Sequence, residues 1–260
     1  MSEADVFSMD GKKVGSTAVP AIFDEAVRPE LILRAINAEN SRRLQPQGHN
    51  PMAGMDTTAT YYGSMHSYRT GRHMGIAIRP RQKLGGGQQG AVRKVPSSTK
   101  GRRAHPHVIE KILIENINKR EYTKAISSAV AATVSSETKR PIVVSNEIES
   151  VKKTKDMIKV IRNLKLGPKL DSVNKRVRKG LRRSSRRRSF TKALLVVVSK
   201  DSPAVRSARN IAGVDVCPVN KLSTTLLAPG GKPGRTAIWS EGALGGLQAA
   251  VSKIRIDDFE

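Results

Sequence analysis

Ala193-Leu194-Leu195-Val196-Val197-Val198 is the longest wholly apolar run in the chain. It is far short of the ~20 residues that a membrane span requires. Its β-branched density, with no polar residue interleaved, reads as a strand covered on both faces, the pattern of a parallel sheet. On its C-terminal side, Ser202-Pro203 starts a helix that runs to about Ile211, and Val214–Val219 gives another strand. Thr236–Trp239 is a further strand, after which Ser240 is placed to cap a last helix that packs Ala243, Leu244, Leu247 and Val251 inward.

On the N-terminal side, Pro141-Ile142-Val143-Val144-Ser145 reads as a short buried strand. Asn146 then caps a helix through about Leu164, with Ile148, Val151, Ile158, Ile161 and Leu164 inward. Asn118, with Glu121 three residues on, has the form of a capping box. It opens a helix whose stripe is Tyr122, Ala125, Ile126, Ala129, Val130 and Thr133. At the start, Asp5–Phe7 and Lys12–Val19 flank Met9-Asp10-Gly11, a hairpin signal. Arg28-Pro29-Glu30 then opens a helix carrying Ile32, Ala35 and Ile36. This alternation predicts a three-layer α/β domain with a mostly parallel sheet. Two basic insertions enter it, at about residues 42–103 and 165–192.

The chain has 260 residues and a formal net charge of +25. Residues 42–103 hold 12 basic residues against Asp56, and residues 165–192 hold 12 against Asp171, so the two insertions carry +22 of the +25. The remaining 170 residues have an ordinary balance of 23 basic and 20 acidic. Such an excess repels itself in a compact state and calls for a polyanionic partner. The first insertion is rich in Gly, Gln, Ser, Thr and Pro, contains Gly85-Gly86-Gly87, and lacks regular periodicity over most of its length. It has too little apolar surface to order itself without a partner. The second contains Lys175-Arg176-Val177-Arg178-Lys179 and Arg182-Arg183-Ser184-Ser185-Arg186-Arg187-Arg188. A single basic cluster is usually a solvated tail or a targeting signal, but two matched insertions between folded elements point to nucleic acid. Tyr61, Tyr62 and Tyr68, interleaved with arginines, suit stacking on splayed bases, although tyrosines packed at a domain edge are the plainer alternative.

Catalytic constellations fail one by one. Gly85-x-Gly87-x-x-Gly90 matches the dinucleotide fingerprint in letters, yet no helix follows to receive a pyrophosphate. All five histidines lie in or beside the first insertion, so a Ser-His-Asp site in the body cannot be assembled. His105-Pro106-His107 with Glu110 offers too few ligands for a metal, and phosphate or base contact by His105 is the better reading. No cofactor is implied. The lone Cys217 excludes a disulfide framework and fits a reducing compartment, and Met1-Ser2-Glu3-Ala4-Asp5 is followed by no apolar signal segment. A cytoplasmic protein without membrane contact is expected.

Leu227-Ala228-Pro229-Gly230-Gly231-Lys232-Pro233-Gly234-Arg235 and Ser240-Glu241-Gly242-Ala243-Leu244 resemble the C-terminal part of the ribosomal large-subunit protein "L four" family. Ser207-Ala208-Arg209-Asn210-Ile211-Ala212-Gly213-Val214-Asp215-Val216 and Lys100-Gly101-Arg102-Arg103-Ala104-His105-Pro106 are similar to it as well. Thr70-Gly71-Arg72 and Ile78-Arg79-Pro80-Arg81 are similar to its loop motif, with Arg69 standing where relatives commonly have Gly. The sequence carries no long C-terminal extension of the eukaryotic kind, so the archaeal type is expected. The resemblance implies an α/β body on the subunit surface and a long loop threaded into large-subunit rRNA. The loop tip, within about Arg79 to Val95, would line the nascent-peptide exit tunnel. Large-subunit rRNA, neighbouring ribosomal proteins and the nascent polypeptide are then the expected partners.

The residues expected to touch RNA in the first insertion and just after it are Arg42, Arg43, Arg69, Arg72, Arg79, Arg81, Lys83, Arg93, Lys94, Lys100, Arg102, Arg103 and His105. Those in the second are Lys175, Arg176, Arg178, Lys179, Arg182, Arg183, Arg186, Arg187 and Arg188. Lys232 and Arg235 join them from the glycine-rich loop. Two other classes compete with a structural rRNA-binding role. An RNA-acting enzyme such as a methyltransferase would need a Gly-rich loop after the first strand of its sheet. A basic membrane-surface protein would need cations opposite large apolar residues on a helix. The first feature is not evident, and against the second the basic runs contain few large apolar residues.

Overall fold

The structure, a computed structural model, describes residues 3–61, 63, 66, 75–134, 140–177 and 188–254. In chain order the elements are β1 (Glu3–Phe7), β2 (Lys13–Ala18), α1 (Pro29–Arg42), β3 (Arg81–Lys83), β4 (Gln89–Val92), α2 (Lys119–Ala131) and β5 (Ile142–Val144). There follow α3 (Thr154–Asn163), α4 (Gly167–Asp171), β6 (Lys175–Val177), β7 (Arg188–Phe190), β8 (Leu194–Val198) and α5 (Pro203–Arg209). The last are β9 (Val214–Pro218), α6 (Thr224–Leu227), β10 (Thr236–Ser240) and α7 (Glu241–Lys253). They form two compact units: a body, made of the described parts of Met1–Arg43 and Ile114–Glu260, and a second unit, Leu44–Leu113.

The body is built on a six-stranded sheet in the order β2-β1-β5-β10-β8-β9. Only the β1–β2 pair is antiparallel. As the apolar run predicts, every residue of β8 is buried, and it is paired on both sides. Alternate side chains of that strand serve different layers. Leu195 and Val197 pack with Ile32 and Ile36 of α1, Tyr122 and Ile126 of α2, and Leu244 and Leu247 of α7. Leu194, Val196 and Val198 pack with Met157 and Ile161 of α3 and Ala204 and Ala208 of α5. Each large side chain so enclosed contributes roughly 1.5–3 kcal/mol. The α/β sandwich of three layers expected from the sequence is the observed one.

Local chemistry sets the element ends. The β1–β2 turn closes through Ser8 N to Lys12 O at 2.8 Å and Gly11 N to Ser8 O at 3.0 Å. Gly11 takes φ +78°, and a Cβ there would lie 2.4 Å from Asn163 O, so this position admits only glycine. Pro29 occupies the first turn of α1, where its missing N–H costs nothing. Ser240 caps α7 by accepting from Ala243 N at 3.2 Å.

Two expectations are corrected. Asn118 does precede α2, but its side chain makes no cap bond. Glu121 is drawn away to Arg34 of α1, whose Nη1 lies 3.3 Å from its carboxylate, a charge-assisted partner that a backbone amide does not match. The expected single helix over 146–164 is also broken. Asn146–Ser150 form a 3-10 turn, the chain then runs straight, and α3 begins at Thr154. Asn146 Oδ1 accepts from Gly242 N at 2.7 Å, and the Val151 carbonyl accepts from Ser207 Oγ at 2.9 Å instead of from a helical amide. Ile148, Val151 and Ile161 are buried on both sides of the break, so the apolar stripe is continuous where the helix is not.

In the second unit β3 and β4 form an antiparallel hairpin, pairing Arg81 with Val92 and Lys83 with Gln89 around Gly85–Gly87. A strand therefore follows the glycines where a dinucleotide site needs a helix. Thr60 and Arg81 exchange both backbone hydrogen bonds at 3.2 Å.

Glu39 of α1 is buried and fixes α6 to the body. It accepts from Tyr122 OH at 2.7 Å, Thr224 N at 2.8 Å, Thr225 N at 3.0 Å and the hydroxyls of both threonines. The two amides are first-turn donors with no intrahelical acceptor. Glu39→Gln presents an amide NH2 to at least one of them, and a backbone N–H cannot rotate away. We expect a loss of about 1–3 kcal/mol, read as a lower urea midpoint at unchanged m-value. A neutral result would mean that the carboxylate does not hold α6.

Candidate nucleic-acid interface

Among its described residues, the second unit orients its arginines without acidic partners. Arg79 donates through Nη1 to Ser97 Oγ at 3.3 Å, Arg81 through Nη2 to Ala77 O at 3.3 Å, and Arg93 through Nη1 to Thr99 O at 2.6 Å. Arg103 Nη1 meets His49 Nε2 at 2.7 Å. Each of these arginines spends one donor on its own unit, which orients the guanidinium and leaves further N–H groups for an outside acceptor. Among the described residues, none of Arg79, Arg81, Arg93, Lys94, Lys100, Arg102 and Arg103 is paired with a carboxylate. Arg79, Lys83, Lys100, Arg102, Arg103 and His105 are exposed, and Arg81, Arg93 and Lys94 are half-buried. Lys94 and Lys100 adopt φ of +66° and +57°, uncommon for residues with a side chain. Tyr61 is exposed. Tyr62, Tyr68, Arg69 and Arg72 lie outside the described residues.

In the second basic segment the structure places Lys175 and Arg176 on β6 opposite Phe190 and Ser189 of β7, and Val177 opposite Arg188. Lys175 is exposed. The segment thus begins and ends as a two-stranded ribbon, which the run of charges did not reveal. Arg178, Lys179, Arg182, Arg183, Arg186 and Arg187 lie outside the described residues. In the body, Arg42 is half-buried at the end of α1, Arg43 follows it exposed, and Lys232 is exposed in the glycine-rich loop.

Arg235 departs from expectation. It is only 6% exposed, and its guanidinium is consumed inside the body. Nη1 donates to Leu226 O at 2.7 Å, while Nη2 donates to Leu194 O at 2.6 Å and to Asp215 Oδ2 at 2.8 Å. One side chain therefore ties α6 to the amino ends of β8, β9 and β10. It is not placed to meet phosphate. Position in a turn-rich loop suggests a surface cation, and the signal that could have corrected this is the nearby Asp215 in an otherwise apolar strand.

The carboxyl edge of the sheet is where open α/β domains bind ligands. Here it is filled by Glu149, which accepts from Ser199 N at 2.7 Å, Ser199 Oγ at 2.8 Å and Ser240 Oγ at 2.6 Å. Two open hollows on the body, of about 820 and 680 Å³, bring neither histidine nor cysteine to their walls. Among the described residues no group of three or more His, Cys, Asp or Glu is placed to hold a metal. His107 packs edge to face on His49, with ring centroids 5.1 Å apart.

Residues 17–250 match the model of the Ribosomal protein L4/L1 family. The chain belongs to that family. It is 37% identical over 254 residues to the large ribosomal subunit protein uL4 of Methanococcus vannielii, covering 92% of this chain and 96% of the relative. To the uL4 of Archaeoglobus fulgidus it is 38% identical over 255 residues, covering 93% and 96%. To that of Methanospirillum hungatei it is 38% identical over 262 residues, covering 95% and 100%. The family resemblance and its archaeal type are thereby established, and these relatives are named as ribosomal proteins rather than enzymes. Within the L4/L1 motif around 227–244, two residues are structural anchors: Arg235 at the amino edge and Ser240 at the carboxyl edge.

Both anchors depress an acid. Burial pushes the Asp215 carboxyl up, but the hydrogen bond from Lys192 and the charge of Arg235 outweigh it and leave the group below its ordinary value. Burial pushes Glu149 up as well, and the Ser199 amide with the Ser240 and Ser199 hydroxyls brings it below. A carboxyl lowered on folding stabilises the fold above its unfolded pKa of about 4, and that stability is lost as pH falls through the folded value. Stability should therefore hold through neutral pH and fall below about pH 4. Asp215→Asn should be weaker at pH 7 with a shallower acid limb in urea melts. An unchanged limb would remove Asp215 from this role. Cys217, whose Sγ lies 2.8 Å from Lys221 O, is pushed up to about 12 chiefly by burial. It should resist iodoacetamide at pH 8 until urea opens the body.

Proposed function

We propose that the chain is a structural constituent of the large ribosomal subunit that joins segments of large-subunit rRNA through its two basic segments, residues 42–103 and 165–192. The observation that carries this reading is the set of cations in the second unit that no acid answers. Seven Arg and Lys side chains have no carboxylate partner among the described residues, and several are pre-oriented by bonds to their own backbone. Phosphate oxygens are the acceptors that such donors fit. The uL4 names of the relatives supply the particle.

The same reading puts the tip of the first segment, within about Arg79 to Val95, against the nascent polypeptide in the exit tunnel. The β3–β4 hairpin with Gly85-Gly86-Gly87 at its turn supports it, because a narrow turn with no side chains can enter a passage without closing it. Neighbouring ribosomal proteins complete the partners, and no membrane contact is involved. Arg235 is left out of the RNA-contact set.

Binding of the purified chain to large-subunit rRNA should weaken steeply with salt. Replacing Lys83, Lys100 and Arg102 together by Ala should reduce the slope of log K against log salt by roughly 0.7–0.9 for each phosphate that these side chains neutralise. A flat salt response would defeat the proposal. Deleting residues 70–95 should leave the body folded by circular dichroism and able to enter the subunit, with an altered tunnel. Loss of the body's fold on this deletion would overturn the separation into a body and an RNA-penetrating segment.

A further inference from the structure

The near-neutral balance of the body conceals one local excess. Lys152, Lys153, Lys155, Lys159 and Arg162 lie within eleven residues that hold a single acid, Asp156. Without these eleven residues, the chain outside the two basic segments carries 18 basic and 19 acidic side chains. The helix α3 turns the excess outward. Lys155, Lys159 and Arg162 recur at steps of four and three, which aligns them along one face. Met157, Val160 and Ile161 are buried on the opposite face. The three cations are exposed, and so is Lys152 just before the helix.

The neighbouring helix extends this face. α5 packs beside α3 on the same side of the sheet and adds Arg206 and Arg209, both exposed. Lys152 and Arg206 share the walls of the hollow of about 680 Å³, whose one acid, Asp201, lies 3.5 Å from Lys221 Nζ. Together α3 and α5 hold five cations against Asp156, whereas α1, α2 and α7 in the other layer hold six against four acids. Among the described residues, the one α3 or α5 cation near a carboxylate is Lys159. Its Nζ lies 3.9 Å from Asp156 Oδ1, and both side chains are more than half exposed.

Like charges at these spacings repel and weaken a helix. The stripe thus works against the element that carries it, as a surface made for an external anion does. A protein partner would need apolar anchors, and neither α3 nor α5 exposes a large apolar side chain. A polyanion needs only the charge. The face also leads in sequence to Lys165, Lys169 and Lys175, all exposed, at the start of the second basic segment.

We infer that the outer face of α3, with Arg206 and Arg209 of α5, is a third rRNA-binding surface, carried by the body itself, that takes the sugar-phosphate backbone. The inference rests on the ribosomal reading above and extends it to a face that neither basic segment includes.

The test measures binding of the full chain to large-subunit rRNA as salt is varied. It compares the wild type, Lys155→Gln/Lys159→Gln/Arg162→Gln, and a control that removes the same charge from the other layer, Lys119→Gln/Arg120→Gln/Lys124→Gln. All six positions are exposed, and Gln has nearly the helix propensity of Lys and Arg, so neither variant should lower the urea midpoint. The α3 variant should lower the slope of log K against log salt by roughly 0.7–0.9 for each phosphate released, and the control should not. Lys155→Arg/Lys159→Arg/Arg162→Lys should keep the wild-type slope, which separates loss of charge from damage to the helix. An unchanged slope in the α3 variant, or an equal fall in the control, would overturn the inference. Large subunits that then lacked a neighbouring protein would assign the face to protein instead. A flat salt response of the wild type would defeat the ribosomal reading, and the inference with it.

Discussion

Arg235 carries a full positive charge into the amino edge of the sheet, and the order of that edge depends on how the charge is answered. A guanidinium taken out of water is costly unless its donors are bonded and its charge is paired. Two carbonyls from separate elements, Leu226 and Leu194, and the Asp215 carboxylate answer its charge and both terminal nitrogens, while Nε is buried without a partner. Each comes from a different part of the chain, so the site forms only when α6, β8 and β9 are correctly placed together. Removing the cation would leave Asp215 with Lys192 alone and would release the loop before β10. The positions of Trp239 and Ser240 follow from where β10 begins. The cap of α7 and the Glu149 network at the opposite edge therefore depend on the same arginine.

The body thus spends its interior charges on itself. Glu39, Glu149, Asp215 and Arg235 are each held by several hydrogen bonds within it. The excess that makes the chain basic is kept outside this network. A cation lacking an internal partner adds nothing to the fold and repels its neighbours, so its placement in the two basic segments fits the external acceptor proposed above. The edge at which a doubly wound sheet opens to a ligand is closed by Glu149 with Ser199 and Ser240.

Much of this is legible in the sequence because burial writes a local pattern. The uninterrupted run at 194–198 announces a strand covered on both faces, and Ser240 before Ala243 and Leu244 announces a cap. What is not legible depends on partners distant in sequence. Asn146 has the chemistry of a cap, and it does satisfy a helix N-terminus, but that of α7, 96 residues away. Glu39 and Thr224, 185 residues apart, give no periodic sign of their bond. Arg235 reads from its glycine-rich surroundings as a surface cation, because composition reports the exposure of a loop and not the direction of one side chain. The ribbon β6–β7 is hidden because charged residues mask the alternation that marks a strand.

The second unit shows how far a segment poor in apolar residues can be shaped by its own backbone. Its order comes from single contacts: the Thr60–Arg81 bridge, the β3–β4 turn, the His49–His107 bond, and the approach of Gly54 to Gly101, where a Cβ on Gly54 would lie 2.4 Å from the Gly101 carbonyl. Each such contact is worth about 0.5–1.5 kcal/mol, and each residue that it orders loses about 1–2 kcal/mol of backbone entropy. These terms do not add up to an autonomous fold. On the proposed reading, phosphate bound by the cations of this unit supplies the ordering energy that its own contacts lack.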